Sequence, residues 1–372
     1  MPKTALQADS RAYLSSHNFS CPRPNDTKAS VSPPHMKQVV TFGEVMMRLS
    51  PPLNYRLPQT DTLEVTYGGG DANVAAALAQ MGVPAAHVSA FPANELGYAA
   101  ANHLRRYGVD TTHCLFTEGH RLGLYFLEVG ASLRPSRIVY DRAESAFAHL
   151  DPAAFNWDEI LKNAGWLHWT GITPAISAAA AQATADVIAA ARRLGITVSA
   201  DVNYRRNLWQ YGQKAQDVMP ALVEGCDIVV CTEGDADDLF GIKADANSDN
   251  GFISMSLQLT QRFPNIKRVI ATRRQTQSAS HERICGLLWD QGEFFETPFY
   301  DIAPVVDRIG GGDSFISGFI YGSNTYEDRA QALSFATIAS ALKHTIHGDI
   351  NLVTPAEVEH LMQGNLTGRL LR

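Results

Sequence analysis

The sequence predicts an α/β fold in which a mainly parallel sheet is flanked by helices and carries a small antiparallel β lid. Short β-branched runs alternate with segments whose apolar residues recur at helical spacing, a pattern typical of parallel strands joined by helices. Two stretches, residues 45–67 and 119–145, break this alternation with short polar–apolar runs and no helical period, which predicts antiparallel strands added to the main sheet as a small lid. The chain has 372 residues, of which 45% are hydrophobic, and this is enough to bury the large core of such a fold.

The alternation begins at residues 39–42, a β-branched and aromatic run that ends at Gly43 and favours a buried strand. Apolar residues at helical spacing follow Asp71, a residue suited to a helix N-terminus. The same pattern then repeats along the chain. Further strands are predicted at residues 87–91, 196–200, 227–231 and 268–272, and a further helix at residues 96–107.

The start of the chain differs from the rest in composition. Residues 1–35 are polar and rich in proline, with neither a helical nor a strand period. Such a composition predicts a disordered extension, because it cannot bury enough apolar surface to offset the entropy of ordering. We therefore expect one folded domain over residues 36–364.

Charge and hydropathy narrow the expected partners and location. The formal net charge of −7 argues against a nucleic-acid partner, which usually needs a basic surface, but it still allows an anionic small substrate. No apolar run reaches the about 18 residues that a bilayer-spanning helix needs, and the first residues lack a secretory signal. We therefore expect a soluble, cytoplasmic protein without a membrane partner.

The cysteines predict neither a disulfide framework nor a zinc site, because they are scattered and lack CxxC spacing. We expect them to be small buried residues. They are Cys21, Cys114, Cys226, Cys231 and Cys285.

The segment that carries chemistry is residues 307–313, where three glycines precede an apolar helical pattern. The backbone N–H groups of Gly310, Gly311 and Gly312 would be unobstructed at the helix start, and with the helix dipole they would form an anion site. Asp313 lies beside that cradle and can accept the proton of an attacking hydroxyl. The same residues are also compatible with a plain glycine-rich turn in which Asp313 is only a helix N-cap.

Other interpretations of the glycine segments are less favourable. A serine-esterase interpretation of residues 312–315 would make Ser314 a nucleophile, but this block lies late in the chain and no Asp-x-x-His follows it. The chain has no G-x-x-x-x-G-K-[ST] phosphate loop. Residues 68–73 lack the third glycine of a dinucleotide-binding turn.

The two glycine clusters together carry a family resemblance. Residues 68–73 fit a Gly-Gly-x-x-x-Asn block and residues 307–313 resemble an Asp-Thr-x-Gly-Ala-Gly-Asp block, the paired signatures of the ribokinase-like (PfkB) carbohydrate kinases. The resemblance covers residues 38–360, with both blocks in the family's order and at its separation. Within that family the chain is most similar to 2-keto-3-deoxygluconate kinases, through residues 43–52, 171–175 and 201–205.

The resemblance implies a ribokinase-like fold and a kinase that uses ATP and Mg²⁺ to phosphorylate the terminal hydroxyl of 2-keto-3-deoxygluconate. Asp313 would be the general base, with Gly310, Gly311 and Gly312 as the anion hole. Arg205 would grip the substrate carboxylate, because a planar guanidinium can bind a carboxylate through two parallel bonds. The other residues implied to contact the sugar are Gly69, Asn73, Tyr125, Tyr140 and Arg142.

Two departures from the family pattern lie near the phosphates. Asp307-Arg308 replaces the usual Asp-Thr. The Asn-x-x-Glu block that helps to order Mg²⁺ and the phosphates falls at Thr232 and Asp235, which keep oxygen donors. We expect these two residues on the nucleotide side, and no residue is assigned as a metal ligand.

The third departure follows the strand predicted to end at Thr272. The usual glycine-bearing loop over the nucleotide is replaced there by residues 273–278. We expect Thr272 and Arg274 to lie at the nucleotide, with the arginine meeting the ATP phosphates.

The residues leave two other functions open. One is another sugar or nucleoside kinase of the same family, for example a fructokinase-like enzyme, and the other is a non-catalytic sugar-binding protein on the same scaffold. Arg205 favours an acid sugar, because a neutral hexose gives no reason to point arginines at the substrate. Apolar residues on lid strands often stay exposed in a monomer, so we expect a homodimer or a higher homo-oligomer built through the lid.

Overall fold

The computed structural model describes residues 36–365 and residue 368, so the extension predicted at residues 1–35 lies outside the described residues. The strands of the described part are β1 (Gln38–Phe42), β2 (Met46–Ser50), β3 (Glu64–Gly68), β4 (Ala85–Val88), β5 (Ala90–Pro92), β6 (Leu115–Thr117), β7 (Leu124–Glu128), β8 (Arg137–Asp141), β9 (Ala164–Thr170), β10 (Thr197–Asp201), β11 (Ile228–Val230), β12 (Arg268–Ser278), β13 (His281–Asp290), β14 (Glu293–Glu296) and β15 (Tyr300–Ile302). The helices are α1 (Gly70–Gln80), α2 (Glu95–Arg105), α3 (Trp157–Leu161), α4 (Thr173–Ile176), α5 (Ala178–Arg193), α6 (Ala215–Val223), α7 (Glu233–Phe240), α8 (Gly251–Arg262), α9 (Gly311–Thr325), α10 (Arg329–Lys343) and α11 (Pro355–Met362).

The main sheet is mostly parallel, as predicted. Its strand order is β14-β13-β12-β11-β10-β9-β1-β4, and β15 also pairs with β13. Every pairing from β4 to β12 is parallel, and the strands beyond β12 are antiparallel. The carboxyl ends of the parallel strands therefore meet along one edge of the sheet, where ligands of open α/β folds usually bind.

Helices cover both faces of this sheet, and each face has its own hydrophobic core. Successive side chains of a strand point to opposite faces, so Phe42 and Trp169 belong to one core while Val39 and Trp166 belong to the other. The first core is completed by α3, α5, α6, α7 and α8, and the second by α1, α2, α9, α10 and α11. This layering confirms the predicted fold class.

The lid is a separate four-stranded sheet with the order β3-β2-β7-β8. Its two outer pairings are antiparallel, as expected for two hairpin-like ribbons. The expectation that these strands extend the main sheet is wrong, and the central pair, β2 with β7, runs parallel. This parallel contact joins the β2-β3 ribbon and the β7-β8 ribbon into one sheet.

Two sequence-based element assignments are also wrong. Residues 87–91 are not one strand, because the chain breaks at Ser89 into β4 and β5, and β5 pairs with β6 in a small sheet of its own. Residues 273–278 are not a loop, because β12 continues through them. The antiparallel partner β13 supplies backbone hydrogen bonds along this whole stretch, which the local sequence does not reveal.

Two further expectations concern burial and membranes. The four described cysteines are buried and free, as predicted, and Cys21 lies outside the described residues. Within residues 36–365 and 368, no helix is both long and apolar enough to cross a bilayer.

Candidate active site

A cleft of about 1330 Å³ lies between the lid and the carboxyl ends of the parallel strands. It is lined by both glycine clusters, by the ends of β10, β11 and β12, and by lid strands β7 and β8. All fourteen residues that the sequence assigned to a site lie on this one cleft: Gly69, Asn73, Tyr125, Tyr140, Arg142, Arg205, Thr232, Asp235, Thr272, Arg274, Gly310, Gly311, Gly312 and Asp313.

Asp313 lies in the first turn of α9 and faces α1 across the cleft floor. The Asn73 side-chain Nδ2 donates a hydrogen bond to Asp313 Oδ2 at 2.7 Å, which joins the early glycine cluster to the late one. Removal from water raises the pKa of the Asp313 carboxyl to about 6, although the Asn73 hydrogen bond lowers it. A carboxylate with such a pKa is suited to take a proton near neutral pH.

The glycines before Asp313 lie at the start of α9, where the sequence places them. Gly310 is the N-cap of α9 in the left-handed region, with φ of 82°, and a Cβ atom there would lie 1.9 Å from the Asp349 carbonyl oxygen. Among the described residues, the backbone N–H groups of Gly312 and Asp313 have no hydrogen-bond acceptor. These two donors, at the positive end of a fifteen-residue helix, can receive an anion.

The serine that follows is excluded as a nucleophile by its surroundings. Ser314 is buried, and its hydroxyl donates to the Ala339 carbonyl at 2.9 Å in the packing of α9 on α10. A nucleophile needs a neighbouring base and access to substrate, and this hydroxyl has neither.

The early glycine cluster closes the other side of the cleft floor. A Cβ atom at Gly69 would lie 2.0 Å from the Glu44 carbonyl oxygen, so only glycine fits where β3 turns into α1. The Gly69 N–H donates to Asn73 Oδ1 at 3.4 Å, which leaves the Asn73 amide group bridging Gly69 and Asp313.

The two lid tyrosines differ in their freedom to meet a ligand. Tyr140 on β8 is exposed and stands 6.1 Å, centroid to centroid, from Tyr125 on β7. Tyr125 is buried, and its hydroxyl donates to Asp349 Oδ2 beneath the lid. The Tyr140 hydroxyl has no partner among the described residues, whereas the hydroxyl of Tyr125 is already engaged.

The two substrate-side arginines differ in the same way. The Arg142 guanidinium donates through Nε and Nη2 to Glu44 Oε2, so its charge is balanced by a buried partner. Arg205 is exposed at the cleft and, among the described residues, donates only to the neighbouring Tyr204 carbonyl at 3.1 Å. Arg205 forms no ion pair with a described carboxylate, so its fork is available to an anion.

The expected nucleotide side lies at the ends of β11 and β12. Thr232 and Asp235 form a reciprocal capping box at the start of α7, in which Thr232 Oγ1 donates to Asp235 Oδ2 at 2.6 Å. Arg274 points toward the cradle, and its Nη2 would be 4.0 Å from a Cβ atom at Gly312. Arg273, its neighbour on the other face of β12, instead pairs with Glu296 at 2.8 Å.

Two further cleft carboxyls received no role from the sequence. Burial raises the pKa of Asp71 to about 8, although the hydroxyls of Thr170 and Thr173 each donate to its Oδ2 at 3.0 Å. Burial also raises the pKa of Asp201 to about 7, and the nearby Asp313 raises it further. The charge of Asp313 therefore opposes the ionisation of both Asp71 and Asp201.

A buried ion network under the lid was also missed by sequence reasoning. Arg48 on β2 donates to Asp307 Oδ2 and to Asp349 Oδ1, both at 2.7 Å, and its Nε donates to Ser50 at 2.9 Å. Asp307 belongs to the late glycine motif, so the network ties the lid to the segment that holds the cradle. A polar residue inside an otherwise apolar strand was the one available signal for Arg48, and Asp349 had none.

The oxygen donors at the cleft edge suit a metal ion that binds together with a phosphate ligand. Among residues 36–365 and 368, no three His, Cys, Asp or Glu side chains are grouped so as to enclose a metal ion. Mg²⁺ commonly needs only one or two carboxylates when phosphate oxygens and waters complete its shell. Asp235 and Thr232 at the cleft edge fit that mode of binding.

Comparison with known proteins extends these observations. A family model described as "pfkB family carbohydrate kinase" matches residues 36–356. A 2-dehydro-3-deoxygalactonokinase from Haloferax volcanii is 32% identical over 331 residues, which cover 89% of this chain and 98% of that protein. Fructokinase-1 from rice, Oryza sativa subsp. japonica, is 28% identical over 340 residues, covering 87% of this chain and 97% of the relative.

A solved structure is also similar over most of its length. The crystal structure of 2-dehydro-3-deoxygluconokinase from Thermotoga maritima superposes with a TM-score of 0.84 and 42% sequence identity. The match covers 89% of this chain and 99% of that one. The predicted ribokinase-like architecture, with its sheet, helices and lid, is thereby confirmed.

Proposed function

This chain belongs to the pfkB family of carbohydrate kinases, and from that membership we propose that it transfers the terminal phosphate of ATP to the terminal hydroxyl of 2-keto-3-deoxygluconate. The family's reaction is phosphoryl transfer to an alcohol group. The relatives from H. volcanii and T. maritima are named as kinases of 2-dehydro-3-deoxy sugar acids, which supports an acid sugar as the acceptor.

The observation that carries the choice of an acid sugar is the free guanidinium of Arg205. Arg205 lines the same cleft as Asp313 and Asp201, and its charge lowers the pKa of both carboxyls. A fixed cation at that place would hold the carboxylate end of a keto-acid and leave its other end near Asp313. Arg142, already balanced by Glu44, would then shape the cleft wall and Tyr140 would donate to the sugar.

The proposed reaction uses few groups of the chain. Asp313 accepts the proton of the terminal hydroxyl, and Asn73 holds the carboxylate in place through its 2.7 Å hydrogen bond. The N–H groups of Gly312 and Asp313 stabilise the charge of the phosphate in transfer. Residues from the lid exclude water from the bound sugar, which limits hydrolysis of ATP.

The nucleotide would bind beside the cradle. Arg274 and Thr272 would contact its phosphates, and Thr232 and Asp235 would hold Mg²⁺ with the phosphate oxygens, in part through water. Magnesium, when bound, neutralises part of the phosphate charge. Because β12 continues past Thr272, Arg274 is held by strand pairing and is not part of a flexible loop.

A coupled ADP-release assay over a panel of sugars and sugar acids tests the proposed substrate. The panel contains 2-keto-3-deoxygluconate, its galactonate epimer, fructose, ribose and a nucleoside. We expect the two keto-acids to have the highest kcat/KM. A fructose or ribose kcat/KM at least tenfold above the keto-acids would instead favour a neutral-sugar kinase, which the similarity to a rice fructokinase makes the second candidate.

The pH dependence should report the proposed base. Asp313 must be deprotonated to act, and its pKa is raised from 3.8 to about 6, so kcat/KM is expected to be lost as the pH falls through about 6. The measurement is kcat/KM across the acidic and neutral range with MgATP saturating. A profile that stays flat down to the ordinary range of an aspartate would contradict this assignment.

Replacement of Arg205 should separate acid from neutral sugars. For Arg205→Ala we expect KM for the keto-acid to rise about tenfold to hundredfold, the size of one charge-assisted pair, with a smaller change in kcat. The weak turnover of a neutral sugar should not change. Arg193→Ala removes an exposed arginine on α5, which pairs with Asp158 outside the cleft, and serves as the control. Equal losses for acid and neutral sugars would reject the carboxylate role.

The lid should also carry self-association. An apolar row crosses all four lid strands on one face, because neighbouring strands place apolar residues opposite one another. The row consists of Val65, Leu49, Phe126 and Val139. Val65 is 52% exposed and Val139 is 56% exposed. We expect a dimeric mass by light scattering, and dissociation for Val139→Glu but not for Leu194→Glu on the main body. A monomeric wild type at assay concentration would contradict a lid dimer.

A further inference from the structure

Lys343, the last residue of α10, is fully buried, with 0% of its surface exposed. Its ammonium donates to the Ile346 carbonyl at 3.1 Å, and this is its one hydrogen bond among the described residues. No described carboxylate is within 4.0 Å of Nζ. Burial lowers the pKa of Lys343, while nearby Asp307 and Asp349 act to raise it. A buried lysine with one hydrogen bond and no directly paired carboxylate among the described residues is costly and calls for a physical reason.

The charges around Lys343 supply a first reason. Arg48 bridges Asp307 and Asp349 with two contacts of 2.7 Å, so one buried cation faces two buried carboxylates. Without Lys343 this network would carry an excess negative charge away from water. The lysine ammonium brings the network of four side chains to balance.

The position of Lys343 supplies a second reason. A Cβ atom at Gly310 would lie 3.3 Å from Lys343 Cε and 1.9 Å from the Asp349 carbonyl oxygen, so both residues lie directly behind the cradle. Charges act over longer distances where water is excluded. The field of Asp307 and Asp349 would therefore reach a phosphate at Gly312 and Asp313 if nothing balanced it.

We propose that Lys343 is a positioning residue for phosphoryl transfer, whose buried ammonium, together with Arg48, balances the negative charge of Asp307 and Asp349 behind the glycine cradle. The N–H groups of Gly312 and Asp313 can then attract the phosphate, because no net negative charge behind them repels it. Lys343 acts through these groups and does not touch the substrate. The proposal rests on the kinase function proposed above and not on the identity of the sugar.

The base would feel the same charge. Lys343 lowers the pKa of Asp313, and Asp349 raises it. Removal of the ammonium alone should therefore make Asp313 a base only at higher pH. The charged groups near Asp313 on the elements packed around it include Asp71, Asp201, Asp349, Arg205 and Lys343, and Arg274 points at the neighbouring Gly312.

The test compares charge removal with charge rebalancing. Lys343→Met keeps the length of the side chain and removes its charge, and we expect kcat to fall about tenfold to hundredfold with little change in the sugar KM. The acid limb of kcat/KM should move to higher pH. The double variant Lys343→Met/Asp349→Asn removes one charge of each sign and should recover most of the lost kcat, because the introduced amide can still bond Arg48 and Tyr125.

A purely structural lysine would behave differently. Its lost hydrogen bond to Ile346 would not be restored by Asp349→Asn, so failure of the double variant to recover kcat, with both proteins folded by circular dichroism, would overturn the proposal. Lys267→Met removes an exposed lysine that pairs with Asp227 at 3.2 Å, and is expected to leave kcat unchanged.

Two further measurements cover a misfolded variant and a wrong substrate. If Lys343→Met does not fold, Lys343→Ala is assayed with and without ammonium chloride. Rescue of kcat by ammonium but not by tetramethylammonium is expected, and absence of rescue would count against the proposal.

All assays use whichever panel sugar the wild type phosphorylates fastest. Calorimetric binding of MgADP with aluminium fluoride, a mimic of the phosphate in transfer, should weaken about tenfold or more in Lys343→Met even if no panel sugar is turned over; unchanged binding would overturn it.

Discussion

Asp313→Asn is expected to lower kcat by about 10²- to 10⁴-fold, the usual contribution of a general base. The introduced amide can still accept the hydrogen bond from Asn73, so the floor of the cleft should keep its geometry. What is lost is the capacity to take the proton of the sugar hydroxyl. The measurements are steady-state kinetics with the best panel sugar and calorimetric binding of that sugar.

The binding measurement makes this prediction specific. We expect the dissociation constant of the sugar to change little, because the variant removes a base and not a cation. Asp186→Asn is the matched control, since Asp186 lies on α5 outside the cleft and bonds only Gln182 among the described residues. A variant that binds sugar and keeps more than about a tenth of kcat would show that Asp313 is not the base.

Arg48→Met is expected to lower the free energy of unfolding by about 3–5 kcal/mol, because it leaves two buried carboxylates without their shared cation. Asp307 and Asp349 would each lose a 2.7 Å contact, and Ser50 would lose the bond from Nε. The network also joins the lid to the cradle, so weaker sugar binding should accompany the loss. Urea unfolding followed by circular dichroism gives the change in stability.

A second arginine of the lid region gives the matched control. Arg121 pairs with Asp141 at 2.6 Å in an exposed position, and Arg121→Met is expected to cost about 1 kcal/mol or less because water screens that pair. Similar losses for the two variants would mean that the Arg48 network is not held out of water as the structure has it. A further test is Arg48→Met with Asp307→Asn, which should recover part of the stability.

Local patterns predicted much of this molecule correctly. Strands β1, β10 and β11 and helices α1 and α2 follow from runs of β-branched residues and from helical spacing, which depend on neighbours a few residues away. The glycine clusters located the cleft floor, because a strand-to-helix turn with open N–H groups requires residues without side chains. All the residues assigned to a site from sequence lie on one cleft for the same reason, since strand ends and helix starts meet at one edge of a parallel sheet.

The wrong secondary-structure predictions arose where pairing with a distant segment decides the local structure. Residues 273–278 look like a polar loop, but pairing with β13 makes them a strand and directs Arg274 to the cradle while Arg273 faces away. Ser89 interrupts what reads as a single strand, because β5 leaves the main sheet to pair with β6. The parallel contact of β2 with β7 likewise joins segments that are far apart in the chain.

Short-range spacing and backbone freedom were enough to predict the fold class, the two glycine turns and a carboxylate, Asp313, directly after the glycines that begin α9. Which charges are free and which are balanced depends instead on packing between segments that are far apart in the chain. Arg142 is paired with Glu44, whereas Arg205 is open to an anion. Arg48 and Lys343 are both buried near Asp307 and Asp349, although Arg48 is more than 250 residues away from them in the chain. Burial and pairing are properties of packed neighbours, and they set the pKa and the availability of each group.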